Sequence, residues 1–136
     1  MKKTLALFAV ATVLLLGSCS KKENMKPQNK IAATVVGSWK GSVNNTVEGT
    51  SYYINVTLKQ SADSISGVFL TYAVNGNVKG SISADSVFLT LIPAASSGYD
   101  EVDTFKGILN TASDQISGTF KSTVPGISGT FNFKKE

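Results

Sequence analysis

The sequence predicts an all-β protein whose fold class is an eight-stranded antiparallel up-and-down β-barrel. Three observations lead to this prediction. Apolar and polar residues alternate from Val35 onward, clusters of turn-forming residues recur between the alternating segments, and six segments carry a glycine on their apolar face. Alternation with a period of two is typical of strands that bury one face, and no stretch shows helical periodicity.

The alternation defines where each strand lies. Tyr52, Ile54 and Val56 share one face of the second segment, while Asn55 and Thr57 lie on the other. The same reading along the chain places strands at 36–44, 50–60, 64–72, 77–83, 86–92, 101–111, 115–122 and 127–134.

An internal repeat supports the hairpin arrangement. The segment Ser61-Ala62-Asp63-Ser64 recurs as Ser83-Ala84-Asp85-Ser86, and 111–115 is a near copy. Asp and Ser favour tight turns because their side chains bond to nearby backbone groups. These segments are therefore predicted to turn between strands 2 and 3, 4 and 5, and 6 and 7.

The glycines on the apolar face favour a barrel over an open sandwich. Glycine weakens the interior of a strand, so its repetition on one face requires a reason. Strands that close a small barrel bend sharply and leave less room for inward side chains. The six are Gly41, Gly67, Gly80, Gly107, Gly118 and Gly129.

The N-terminal segment has the features of an export signal. Two lysines precede an apolar run at 4–16, which is too short to span a bilayer as a permanent helix. The run ends in Leu16-Gly17-Ser18-Cys19, which resembles the lipoprotein box of bacteria. The resemblance implies cleavage before Cys19 and lipidation of its thiol. The predicted organisation is a signal peptide at 1–18, a lipidated cysteine and flexible tether at 19–34, and a barrel at 35–136.

The tether adds a prediction of location. Residues 20–30 are polar and rich in Lys, as expected of a flexible spacer. Ser20 stands where lipoproteins retained in the inner membrane of enterobacteria carry Asp, so the resemblance implies the outer membrane, on its periplasmic or cell-surface face. The run Ser20-Lys21-Lys22-Glu23 also resembles the export tags of Bacteroidota lipoproteins, although a solvated spacer explains the same residues.

Composition excludes several kinds of chemistry. The chain contains no His and no Arg, and Cys19 is its only cysteine. His-dependent nucleophile systems, His/Cys zinc sites and bidentate Arg clamps are therefore excluded, and we expect neither an enzyme nor a bound metal or cofactor. The net charge of +4 comes from the leader and tether, because 31–136 holds seven Lys and eight acidic residues. Nucleic-acid binding is not expected.

A short motif at the first predicted strand points to a superfamily. Gly37-Ser38-Trp39 resembles the Gly-x-Trp signature of calycins, which include lipocalins, fatty-acid-binding proteins and avidins. The resemblance implies a small closed barrel with an internal site. Calycins commonly pack an Arg of the last strand on this Trp, and here Lys134 or Lys121 is expected to substitute. Biotin binding is not implied, because Trp39 is the only Trp.

The predicted inward face suggests a ligand class. All of its side chains are uncharged, so an internal ligand is expected to be small and apolar, with Tyr52 supplying a hydrogen bond. A solid core made of the same side chains is the alternative. The candidate ligand-binding residues are Trp39, Tyr52, Phe69, Phe105, Phe120 and Phe131. The full predicted inward face adds Val43, Ile54, Val56, Leu58, Ile65, Val78, Ile82, Val87, Leu89, Leu91, Leu109, Ile116, Ile127 and Phe133.

Two further features bear on function. The connection at 93–103 contains Tyr99, Asp100, Glu101 and Asp103, which suit a rim contact, a weak Ca²⁺ site, a recognition loop or a merely solvated loop. Apolar residues also fall on the outer face of strands 3 and 5, which indicates either a contact surface or an error of register. They are Val68, Leu70, Tyr72, Phe88 and Ile92.

Together these observations predict an outer-membrane-anchored lipoprotein whose lipocalin-like barrel is a non-enzymatic binding module for a small apolar ligand. The partners expected are the membrane, through the lipid on Cys19, and either that ligand or a protein. The alternative function is a protein–protein interaction role, as a hydrolase inhibitor or a surface assembly component, with a solid barrel core.

Overall fold

The computed structural model describes residues 33–136, and the predicted signal peptide and the predicted lipidation site, Cys19, lie outside the described residues. Eight antiparallel strands pair in sequence order and close into a barrel, which confirms the predicted fold class. The strands are β1 (Gly37–Asn45), β2 (Thr50–Ser61), β3 (Ser64–Leu70), β4 (Asn75–Ser83), β5 (Ser86–Pro93), β6 (Asp103–Leu109), β7 (Gln115–Ser122) and β8 (Ser128–Lys135). Every predicted strand end lies within two residues of the observed one.

Pairing of the first strand with the last closes the barrel. The β1–β8 ladder runs from Trp39 opposite Lys135 to Asn45 opposite Gly129, and β1 pairs on its other side with β2. Closure of this kind leaves no unpaired strand edge to be protected from other chains.

Tight turns occupy one end of the barrel, here called the closed end. Two-residue turns link Ser61 to Ser64 and Ser83 to Ser86, where the repeated sequence predicts them. Ala62 and Ala84 take positive φ angles of 51° and 56° within these turns. The third turn lies between β6 and β7, where Asn110 Oδ1 accepts hydrogen bonds from the backbone N–H groups of 114 and 115.

The predicted inward face forms the core. All its residues are buried except Tyr52 and Ile127, which are partly buried against the same cluster. Phe105 lies at the centre of an aromatic group, with ring centroids 5.0 Å from Phe131, 5.5 Å from Phe120 and 5.8 Å from Phe133. These rings, from three neighbouring strands, fill much of the barrel interior.

The inward glycines have the role that the barrel hypothesis assigns to them. A Cβ atom at Gly118 would overlap the carbonyl oxygen of Lys106 and lie 2.6 Å from Gly107 Cα. A Cβ atom at Gly41 would likewise overlap the carbonyl oxygen of Asn132 on β8. The neighbouring backbone therefore occupies the space of the missing side chain, and glycine allows adjacent strands to approach this closely.

The residues before β1 cover the closed end. Val35 is fully buried, its carbonyl accepts a hydrogen bond from Trp39 Nε1 at 2.8 Å, and its N–H donates to Gln60 Oε1 at 3.0 Å. Lys135 Nζ lies 5.6 Å from the centre of the Trp39 ring system. The cation near the Trp39 ring is therefore that of Lys135. The prediction that Lys134 or Lys121 takes this place was wrong, because each of these lysines lies on the outward-facing side of its strand.

Four longer connections lie at the opposite end, here called the open end. They span 46–49, 71–74, 94–102 and 123–127. The third contains a single 3₁₀ turn at Ala95–Ser97, which is the only helical element among residues 33–136. Because antiparallel strands alternate in direction, all four connections meet around one mouth of the barrel.

Candidate ligand site

A cavity of about 240 Å³ opens between the four connections of the open end. At about 30 Å³ per molecule of liquid water, this volume corresponds to roughly eight waters. Its walls combine aromatic rings, aliphatic side chains and carboxylates. The lining residues are Asn45, Glu48, Thr50, Tyr52, Ile54, Phe69, Thr71, Tyr72, Ala73, Val74, Leu91, Pro93, Tyr99, Glu101, Asp103, Phe120 and Ile127.

The candidate ligand-binding residues divide between the cavity and the solid interior. Tyr52, Phe69 and Phe120 line the cavity. Trp39, Phe105 and Phe131 do not, and each is at most 3% exposed. The barrel is thus packed toward its closed end and hollow at its open end, so the two alternatives drawn from the sequence each describe one part of it.

The first connection is held by a buried amide. Asn45 is 5% exposed, and its Oδ1 accepts hydrogen bonds from the N–H groups of Val47 and Glu48. Its Nδ2 donates to a carboxylate oxygen of Glu48 at 3.1 Å. Asn45 therefore fixes this short loop and positions the Glu48 carboxylate at the rim of the cavity.

The second connection is held by a hydroxyl in the same manner. Thr71 Oγ1 accepts hydrogen bonds from the N–H groups of Ala73 and Val74, and donates to the Val74 carbonyl at 3.1 Å. Local bonds of this type are how Ser and Thr stabilise short turns. As a result Val74 packs against the core, while Tyr72 lies at the rim with its side chain exposed.

The third connection supplies part of the polar wall. Ser97 Oγ donates to the Ala94 carbonyl at 2.6 Å across the 3₁₀ turn, after which the chain returns to the mouth. Tyr99 and Glu101 line the cavity, whereas Asp100 is exposed and does not. The segment was predicted as a rim contact, a weak Ca²⁺ site, a recognition loop or a solvated loop, and the structure places its Tyr99, Glu101 and Asp103 at the rim of the cavity.

A cluster of one phenol, one hydroxyl and two carboxyls lies at the mouth. Asp103 begins β6 opposite Ser122 of β7, and the Ser122 hydroxyl donates a hydrogen bond to Glu101 Oε1. Burial raises the pKa of Asp103 to about 6 and the neighbouring Glu101 carboxylate contributes to this rise, while the nearby hydroxyls of Ser122 and Tyr52 act in the opposite direction. Burial, together with the charges of Asp103 and Glu101, also raises the pKa of the Tyr52 phenol.

One atom of this cluster has no partner. Asp103 Oδ1 is buried and accepts no hydrogen bond within residues 33–136. A buried oxygen of this kind costs free energy in the unliganded protein. Carboxyl groups with perturbed pKa values in a concave site are typical of functional sites.

The expectation of an uncharged interior was wrong at the open end of the barrel, where Asp103 lines the cavity. Asp103 has the same parity along β6 as Phe105, Gly107 and Leu109, and its side chain faces the cavity as theirs face the core. The alternation of β6 contained this signal, because the strand predicted at 101–111 includes Asp103, yet the prediction also placed this residue in the connection at 93–103 and left it out of the inward face. Among residues 33–136, no three potential metal-ligating side chains gather, so the Ca²⁺ interpretation gains no support.

Of the apolar residues predicted on the outer face, three are exposed and Ile92 is partly buried, whereas Tyr72 was placed wrongly, because it lies beyond β3 in the connection at 71–74 and lines the cavity. Val68, Leu70 and Phe88 are 54%, 55% and 41% exposed, so the register was read correctly. They do not form one continuous surface, because polar residues of β4 lie between β3 and β5. Asn77, for example, pairs with Val68 on one side and Ile92 on the other.

Comparison with known proteins identifies no family for this chain. No family model matches the chain, and no curated protein sequence matches it either. Within residues 33–136 there is no helix of the length and apolarity needed to cross a membrane.

Proposed function

We propose that this protein is an outer-membrane-anchored lipoprotein whose lipocalin-like barrel is a non-enzymatic binding module. Its ligand is a small molecule held in the cavity of the open end. The observation that carries the proposal is this cavity, with aromatic walls and a few convergent polar groups, inside a closed eight-stranded barrel. Such a combination is the usual form of a small-molecule site.

The division of the barrel into a solid and a hollow part supports this function. The packed interior beside and below the cavity, with Val35, Trp39 and Phe105 fully buried, supplies a firm floor. The loops at the mouth are held by side-chain hydrogen bonds of Asn45, Thr71 and Ser97. A site with such support loses little conformational entropy when a ligand binds.

The membrane anchor is proposed from the sequence alone. Its support is Cys19 at the end of an apolar leader, preceded by Leu16, Gly17 and Ser18. Several acyl chains on one cysteine would hold the protein firmly at a membrane, since each buried CH₂ contributes about 0.8 kcal/mol. The absence of His and Arg from the whole chain supports a binding role over an enzymatic one.

A protein-binding role through the outer face is the weaker proposal. It is favoured by the exposure of Val68 and Leu70 on β3. Against it, Asn75 and Asn77 of β4 adjoin these residues and divide the apolar area. Apolar residues scattered singly over a surface are normal and need no partner to explain them.

The proposed site can be tested by blocking the cavity. The variant Val74→Trp places a large ring at a lining position, and Val124→Trp makes the same change at an exposed position outside the lining. We expect the neutral dye N-phenyl-1-naphthylamine to fluoresce with the wild-type protein and with Val124→Trp. At least about tenfold weaker binding is expected for Val74→Trp, because the ring occupies the site. Equal titration curves for both variants, or no enhancement with the wild-type protein, would contradict the proposal.

A further inference from the structure

We propose that the cavity selects a small organic cation: an ammonium group carried on a short aromatic or branched apolar body. This inference rests on the proposed function, because it names the ligand class of the same cavity. It revises the apolar ligand expected from the sequence. Two features of the lining support it: an uncompensated negative charge and a set of aromatic side chains.

The charged side chains that line the cavity are all acidic. Glu48, Glu101 and Asp103 line the cavity, and no lysine does. The single salt bridge found within residues 33–136 joins Lys40 to Glu136, with Nζ and Oε1 3.9 Å apart, and neither residue lines the cavity. Carboxylates in a concave, partly apolar site produce a focused negative potential that attracts cations and repels anions.

The two neighbouring carboxylates, Glu101 and Asp103, indicate where the cationic group would bind. Asp103 Oδ1 accepts no hydrogen bond, whereas Glu101 Oε1 already accepts one from Ser122. An ammonium group beside Asp103 would compensate the charge of this lining carboxylate. It would also offset the repulsion between the two carboxylates, which the cavity brings together without a compensating side chain.

The remaining lining matches the body of such a ligand. Tyr52, Phe69 and Phe120 contribute rings from three strands, and Tyr72 and Tyr99 add rings at the rim. Aromatic faces attract organic cations and also bury apolar groups. A hydrated metal ion would gain nothing from these rings, and a purely apolar ligand would leave the carboxylates desolvated.

The test compares three ligands of similar shape by isothermal titration calorimetry at pH 8. They are 2-phenylethylamine, the neutral 2-phenylethanol and the anionic 3-phenylpropionate. We expect the amine to bind at least about tenfold more tightly than the alcohol, and the acid to show no binding. Asp103→Asn and Glu101→Gln should each reduce the preference for the amine, whereas Asp100→Asn, an exposed neighbour outside the lining, should not.

The pH dependence of amine binding supplies a second test of the proposal. The other titratable groups that line the cavity with Asp103 are Glu48, Glu101, Tyr52, Tyr72 and Tyr99. With the pKa of Asp103 raised to about 6, lowering the pH from 8 to 5 neutralises this carboxyl while the amine stays protonated. The affinity for the amine should therefore fall severalfold, and that for the alcohol should stay level. An amine affinity unchanged over this range would remove Asp103 from the proposed role.

The outcomes separate this inference from the proposed function. Equal binding of amine and alcohol, or preferred binding of the acid, overturns the cation preference and leaves the cavity as a ligand site. The same conclusion follows if the naphthylamine dye binds and none of the three ligands does. If neither the dye nor any of the three binds, the proposed function fails and the cation preference fails with it. An amine preference that survives both Asp103→Asn and Glu101→Gln overturns the role of these carboxylates.

Discussion

At the scale of single residues, Asp103 shows how a side chain of the candidate site can reduce the stability of the fold. Its side chain faces inward at the rim, beside the Glu101 carboxylate, with one oxygen unpartnered. The fold therefore disfavours the ionised form, which is why the pKa is raised to about 6. The unfolded chain has no such environment, and its aspartate ionises near pH 3.9.

This difference predicts that Asp103→Asn is more stable than the wild-type protein at pH 8. A group whose pKa is raised by folding destabilises the native state once the pH exceeds that raised value, and has no effect below the unfolded value. Allowing for partial solvent exposure, we expect a gain of about 1–2 kcal/mol at pH 8 that vanishes near pH 4. Urea unfolding at the two pH values measures the gain.

The matched control for this effect is Asp100→Asn, at an exposed position three residues away. It should leave the free energy of unfolding within about 0.5 kcal/mol of the wild-type value at both pH values. A destabilised Asp103→Asn at pH 8 would show that the carboxylate supports the fold instead of straining it.

At the scale of strands, close approach of neighbouring backbones requires the inward glycines. The Gly118 position on β7 is closed to a side chain by Lys106 and Gly107 of β6. Gly98, in the connection before β6, differs: a Cβ atom there would meet nothing within 4 Å, although its φ of 74° is unfavourable for other residues. The two glycines thus represent different physical constraints, one of space and one of backbone conformation.

These constraints predict different costs for the same substitution. Gly118→Ala should lower the free energy of unfolding by about 3 kcal/mol, since backbone atoms of β6 would have to move. Gly98→Ala should cost only about 1 kcal/mol, the penalty of a left-handed conformation for a residue with a side chain. Thermal unfolding followed by circular dichroism compares them. Equal losses would show that space between strands is not what selects glycine on the inward face.

At the scale of the whole molecule, the two ends of the barrel have different roles. The closed end combines tight turns with Val35 and Trp39, and the described chain begins there, at Ala33, whose carbonyl accepts a hydrogen bond from Gln60. The open end carries the longer connections and the cavity. The described part of the chain therefore enters the barrel at the end opposite to the cavity.

The proposed anchor predicts a location that depends on one thiol. Expressed in a bacterium with lipoprotein processing, the wild-type protein should fractionate with membranes, and its mass should show an acylated chain beginning at Cys19. Cys19→Ser should leave the protein in the soluble fraction or unprocessed, since no lipid is attached. Asn24→Ser, within the tether, is the control and should behave as wild type. A membrane-bound, unacylated Cys19→Ser protein processed as wild type would refute the lipid anchor.

Much of the fold could be predicted from the sequence because strand periodicity is a local property. The repeat around Ala62 and Ala84 marks two hairpin turns, and every residue predicted to face inward packs in the core. The sequence also identified Tyr52, Phe69 and Phe120 as candidates for ligand contact, but it grouped them with Trp39, Phe105 and Phe131, which fill the closed interior. Whether a side chain faces inward follows from its odd or even position along the strand. Whether that inward side chain lines the cavity or fills the packed interior does not follow from this position.

The sequence by itself determined the strand order, the turns and the apolar core, because each depends on residues close together in the chain. The tertiary structure decided where the core ends and the cavity begins, since this depends on which rings from separate strands meet inside the barrel. It also decided the charge of the site. Asp103 lies near Tyr52 only because barrel closure brings β2 and β6 to the same mouth, where burial gives a carboxylate properties that no local pattern specifies.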